Sequence, residues 1–392
     1  MKKILLGTTG LVAVALLATA ASAETPKVTL GGFSDFQAGI TGDDKDGAAV
    51  RSTGFRNDNE ITVKVDGKSD AGLGYGAEID LEADSTADAD NQGVNASRTF
   101  TYLEGGWGRV ELGGNKSAAA NLRVDASTLA AATGGINGSW TYFVNGTGAG
   151  ANQLNNAANA GFVTTSKLPS EHGSANALGD ESTYNATKVT YYTPKFAGFQ
   201  AGASYTPQLG DRGQTVARSN IAGLTDVIDL GLGYEGTFSG VKVAAAGTYE
   251  TASATGAAAA ASAGYGTEDV NAWNLGALVG YQGFSLAGSY ANADDTGKLG
   301  SDAEYWTLGL GYTAGPVGVS ATYLASTVDY AGSTADNDFQ NIVLGAEYKL
   351  APGLTPYAEV SFYDFDANQS NAAAGAYNNT GTTLILGTQV AF

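Results

Sequence analysis

Apolar side chains fall on every second residue of EYWTLGLGYTAGPVGVSATYLAS, residues 304–326. Trp306, Leu308, Leu310 and Tyr312 come first and, after a turn, Val317, Val319, Ala321 and Tyr323, with Thr, Gly and Ser largely filling the positions between. A period of two is the signature of a strand with one apolar and one polar face. The pattern recurs at 28–40, 56–66, 73–83, 96–104, 109–113, 184–193, 199–206, 227–236, 240–250, 271–281, 284–292, 338–350, 354–364 and 381–392. With 304–313 and 317–327 this predicts sixteen strands.

Two kinds of connection alternate between them. EGTFSG, YQG, TAGP and LAPG are tight turns, whereas the segments between those hairpins are longer and rich in Ala, Asn, Asp, Ser and Thr. Short turns at one end and long loops at the other, with strands of about ten residues, fit an all-β, antiparallel up-and-down barrel that crosses a membrane. The apolar parity supports this. Ile228, Leu230, Leu232 and Tyr234, Trp273 through Tyr281, and Ile342 through Tyr348 carry no charge among their outward positions, and a Lys or Arg on the lipid face costs ~2–4 kcal/mol at mid-depth. Tyr234, Tyr281, Tyr312 and Tyr348 fall at the turn end of their strands, as an interfacial girdle requires. The opposite parity holds Asp229, Glu235, Lys242, Asn274, Glu347 and Glu359 among Gly and Ser, a face expected to be too polar and too sparse for a packed core. An open strand edge in lipid leaves backbone groups unpaired, so the sheet must close.

Composition adds the compartment. MKKILLGTTGLVAVALLATAASAET has a basic start, an apolar run and the small-x-small Ala21-Ser22-Ala23, which predicts a cleaved signal peptide at 1–23 and a barrel domain at 24–392. An exported chain with no cysteine must be stabilised without disulfides. The excess of 39 acidic over 20 basic residues and the absence of a basic cluster argue against nucleic acid as a partner. His172, in PSEHGSANALGD, is the one histidine. With no nucleophile arrangement or metal-ligand spacing around it, an enzyme is not expected, nor is a cofactor. Acidic external loops offer a further role for divalent cations such as calcium, bridging to lipopolysaccharide.

Three stretches, VTLGGFSDFQAGI at the start, RTFTYLEGGWGRVELGGNKSAAANLRVDAS, and TGTTLILGTQVAF ending in Phe392, together resemble the Gram-negative general diffusion porins, especially the alphaproteobacterial kind. The resemblance implies a sixteen-stranded outer-membrane barrel, usually a homotrimer, whose third loop folds into the lumen and narrows it. Residues 114–183 match that loop in place and size. Its first part, NKSAAANLRVDASTLAAATGG, is expected inside the barrel, and NGTGAGANQLNNAANAG at the surface.

The family sets basic residues of the wall against acidic ones of the loop. Parity gives Asp35, Arg56, Asp58, Glu60, Lys64, Glu78, Asp80, Glu82, Arg109 and Lys188 on the inner wall, and Arg98 with its phase open by one residue. Lys116, Arg123 and Asp125 are the loop candidates, so the run that should be acidic holds a single acid. The expected function is passive diffusion of ions and small hydrophilic solutes, with mild cation preference. The alternative is a substrate-specific channel for a sugar or an anion. For that alternative the inner parity offers Tyr305, Tyr357 and Tyr363 but no continuous track, and too few bases for a ladder. A third possibility is a structural or adhesive barrel with a plugged lumen.

Overall fold

The computed structural model of the chain describes residues 24–44, 51–83, 95–144, 186–208, 223–255, 269–294, 302–329, 336–367 and 379–392. The signal segment, His172 and the stretch 145–161 lie outside the described residues. The strands are β1 (Glu24–Asp43), β2 (Thr53–Lys68), β3 (Gly74–Glu82), β4 (Asn95–Gly105), β5 (Gly108–Gly114), β6 (Thr187–Tyr192), β7 (Phe199–Gln208) and β8 (Gly223–Phe238). They continue with β9 (Val241–Thr255), β10 (Val270–Tyr281), β11 (Phe284–Asp294), β12 (Ala303–Ala314), β13 (Val317–Val328), β14 (Asn337–Tyr348), β15 (Leu354–Ala367) and β16 (Asn379–Ala391). Each strand pairs antiparallel with its neighbours in sequence, and β1 pairs with β16 to close the barrel. At the seam the Phe392 N–H donates to the Gly32 carbonyl at 3.0 Å and the Gly32 N–H to the Phe392 carbonyl at 3.1 Å, so the last residue completes the ladder.

The tight turns carry the backbone geometry that twisted hairpins need. Gln282 and Gly283 between β10 and β11 have φ of 48° and 88°. Two consecutive positive φ values make a type I′ turn, whose twist matches that of the strands it joins.

Over β8–β15 the outward face is apolar between two aromatic belts. Tyr281, Tyr312 and Tyr348 are exposed near the turn end, and Phe284 packs on Tyr312 at 4.4 Å. A second belt, not anticipated as such, lies toward the long loops, with Trp273 on Tyr290 at 5.4 Å and Trp306 on Tyr323 at 4.8 Å. From Trp273 to Tyr281 along β10 the rise is ~27 Å, or ~20 Å after a tilt of about 40°, comparable with the ~25 Å apolar band of such barrels.

The inner face departs from expectation over β12–β16. Tyr305, Leu324, Phe339, Val343, Tyr363, Phe365 and Ile385 are buried there around Trp140, which stacks between Tyr363 (5.6 Å) and Phe339 (6.2 Å). The wall is therefore not uniformly polar. A segment of the third loop enters the barrel and supplies the apolar partner that makes a small core possible.

Candidate functional site: the inner wall and the third loop

Residues 115–144 leave β5 and run along the inside of the wall from β6 round to β2. They begin at Asn115, whose Nδ2 donates to Glu111 Oε2 at 2.6 Å. Lys188 donates to the Asn115 carbonyl and, at 2.7 Å, to that of Ala186. The helix Ala118–Leu122 follows, with Ser117 as its N-cap, and the Ala118 N–H reaches Ser204 Oγ on β7 at 2.7 Å. A 3₁₀ turn, Ala126–Leu129, is closed by the capping box of Asp125 and Thr128. This is local chemistry that short Asp/Ser/Thr sequences favour.

From there the wall holds the backbone at successive strands. The Ala126 N–H donates to Thr307 on β12 (3.2 Å), Ala131 to Ser320 on β13 (2.9 Å) and Ala132 to Glu347 on β14 (3.3 Å). Glu359 on β15 accepts from both the N–H (3.1 Å) and the hydroxyl (2.5 Å) of Thr133. Trp140 Nε1 closes the next turn on the Gly135 carbonyl at 3.0 Å. The path ends at β1 and β2, where Gln37 donates to Ser139 (3.1 Å) and the Arg56 guanidinium lies 4.1 Å over the Tyr142 ring.

Glu359 is the strongest of these holds, since one carboxylate serves two donors in a site sealed from water. Glu359→Ala leaves both donors without it. It is expected to lower stability by about 1–3 kcal/mol, the range for buried donors left without a partner, read as a lower denaturant midpoint of the refolded barrel.

The predicted site residues divide into covered and accessible groups. Asp35, Asp125 and Lys188 are 6%, 3% and 4% exposed. Asp35 accepts the Tyr357 hydroxyl at 2.7 Å, and Asp125 caps its turn and pairs with Arg123 at 3.4 Å. Lys116 is half-buried at the start of the segment, its N–H bound to the Asn115 side chain. The exposed residues of the segment are Asn121, Thr128, Asn137 and Tyr142, none charged.

Charge gathers instead on the inner faces of β2–β5, most of it accessible to water, although Asp80 and Glu111 are buried there. Arg56 pairs with Asp58 (2.8 Å), Lys64 with Asp66 (3.8 Å), Arg98 with Asp80 (2.8 Å), and Arg109 with Glu111 (2.7 Å) and Glu104 (3.0 Å). Glu60 faces Glu82, and Lys64 faces Glu78, across β2 and β3. The phase of Arg98 is resolved by a register shift between Asp80 and Leu81, which puts Arg98 opposite Asp80 on the inner face. On these four strands five bases (Arg56, Lys64, Lys68, Arg98, Arg109) stand among eight acids (Asp58, Glu60, Asp66, Glu78, Asp80, Glu82, Glu104, Glu111), an excess of three negative charges. Sequence reasoning passed over Asp66, Glu104, Glu111 and Tyr102. Tyr102 donates to Asp66 and carries Arg109 at 3.8 Å over its ring. The period-two pattern of β2, β4 and β5 held the signal for all four.

A family model described as Gram-negative porin matches residues 8–368. Uncharacterized proteins of Rickettsia are similar over most of the chain. That of Rickettsia conorii is 28% identical over 367 residues, 81% of this chain and 80% of its own, and that of Rickettsia bellii 26% over 435 residues, 95% and 94%. Among solved structures, the anion-selective porin from Comamonas acidovorans superposes with a TM-score of 0.60 at 19% identity, covering 94% of this chain and all of that one. OmpT, an outer-membrane protein of Vibrio cholerae solved in trimer form, gives 0.59 at 15% identity with the same coverage. These two share the fold. With a closed sixteen-strand barrel, a loop lining its interior and a family match over nearly the whole sequence, the chain belongs to the Gram-negative porins.

Proposed function

We propose that the barrel is a passive outer-membrane channel for ions and small hydrophilic solutes, mildly selective for cations, exported by a signal peptide cleaved after Ala23 and assembled as a homotrimer. The observation that carries this reading is the wetted inner wall of β2–β5. Its ion-paired side chains Arg56, Asp58, Lys64, Asp66, Arg98, Glu104 and Arg109 are 21–48% exposed although they point into the barrel. Sixteen strands enclose a lumen wide enough for water, and the excess of acid along one side of it favours cations. The opposing loop edge is neutral, so the field across the passage comes from the wall alone.

A sugar or anion channel fits less well. Tyr305, Tyr357 and Tyr363 are buried beneath the loop and offer no aromatic slide, and Arg56, Lys64, Arg98 and Arg109 are each engaged by acids. The solute partners follow from the wall chemistry, and lipid with lipopolysaccharide from the outward face. The trimer reading has its own support. Outward positions of β1, β2 and β4 carry Ser34, Asn57, Asn59, Thr99 and Thr101, with Ser34 bonded to Asn59 at 2.6 Å, whereas between the belts β8–β15 are apolar. Polar groups facing hydrocarbon are costly, and a second copy seated on β1–β4 covers them.

Swelling of liposomes loaded with the protein, in neutral sugars of increasing size, tests the diffusion reading. Rates that fall smoothly with solute size are expected. A rate saturating with one sugar would favour the substrate-specific alternative.

A further inference from the structure

We infer that a track of inward-facing glycines seats residues 115–144 against the wall and thereby sets the width of the passage. The inference rests on reading the lumen as a diffusion path. The glycines step from strand to strand under the segment. A Cβ on Gly202 of β7 would stand 2.9 Å from Ala118 Cβ, and one on Gly309 of β12 3.1 Å from Ala126 Cβ. On Gly345 of β14 it would stand 2.6 Å from the Ala131 carbonyl oxygen. On Gly276 of β10 it would overlap the Val124 carbonyl oxygen, and on Gly39 of β1 the Phe143 ring. All are closer than the ~3.5–4.0 Å at which carbon atoms pack.

Glycine weakens a strand and marks places where another backbone approaches closely. Here the approaching backbone is the loop, and the hydroxyl and carboxylate anchors on β7, β12, β13, β14 and β15 hold it in the groove the glycines leave. With side chains in the track, the same loop would have to stand further into the lumen. The glycines therefore act as positioning residues for conduction.

Two kinds of variant test this. In the first, Leu129→Cys is combined with Gly311→Cys. Leu129 Cβ lies 3.6 Å from the Cβ position of Gly311, inside the ~3.5–4.5 Å range of disulfides, and the chain has no other cysteine. The disulfide is expected to form on oxidation, seen as a gel shift, and the oxidised channel to conduct as the reduced one does. In the second, Gly276→Val is expected to give an about two-fold loss of unitary conductance. Gly280→Ala, on the same face of β10 but with only ordinary contacts of 3.5 Å or more, should leave conductance unchanged. Failure of the disulfide to form, or a Gly276→Val channel that conducts like its parent, would overturn the inference. A parent channel that is silent while the disulfide forms supports the seat and overturns instead the diffusion reading.

Discussion

Trp140→Ala is expected to turn a steady channel into a flickering one. Trp140 is fully buried, stacked on Phe339 and Tyr363, and ties its own turn through the Gly135 carbonyl. Deleting a buried tryptophan side chain costs ~3–5 kcal/mol through lost contacts and the cavity left behind. That loss falls on the loop rather than on the barrel, because the strand ladders and the lipid-facing side chains do not involve Trp140. The barrel should still insert, but its inner segment will leave the wall part of the time and sweep the lumen. Single-channel recordings are expected to show interrupted current of lower mean amplitude. A Trp140→Phe variant, which keeps most of the stack, should fall between the two. Steady current at the parent amplitude from Trp140→Ala would mean that the loop is held without this cluster.

The second large effect is on selectivity. Replacing Glu60, Glu78 and Glu82 with glutamine removes three of the eight acids on β2–β5 and leaves five bases against five acids. The cation preference should collapse, with the reversal potential under a salt gradient moving most of the way to zero while conductance changes little, since glutamine keeps the volume. The parent preference should itself fade in concentrated salt, because screening shortens from ~10 Å at 0.1 M to ~3 Å at 1 M. An unchanged reversal potential in the triple variant would place the selecting charge elsewhere.

The fold was legible because lipid and water sort side chains so strictly. Wherever Trp306, Leu308 and Leu310 alternate with Thr and Gly, the outward face can be read directly, and the sixteen strands follow. Arg98 was ambiguous for a local reason, since the extra residue at the Asp80–Leu81 irregularity breaks the period of two that the reading relies on.

The site was legible in its wall and not in its loop. Parity places Arg56, Glu60 and Glu78 but says nothing of cover. Asp125 and Lys188 are spent on a turn cap and on backbone carbonyls, contacts that depend on where a thirty-residue segment lies. The apolar patch around Trp140 did leave a trace, because Leu324, Phe339, Tyr363 and Phe365 share the inner parity of adjacent strands. Its meaning required the partner. The glycines under the loop are harder still to read. Gly276 and Gly345 look like weak strand positions until a carbonyl is found above them.

The most direct test of an open, cation-preferring passage is the current through the purified, refolded protein in a planar bilayer with a salt gradient across it. Large steady steps, in groups of three, and a reversal potential of the sign given by cation flow are expected. Silence, or a reversal potential of the anion sign, would contradict such a passage.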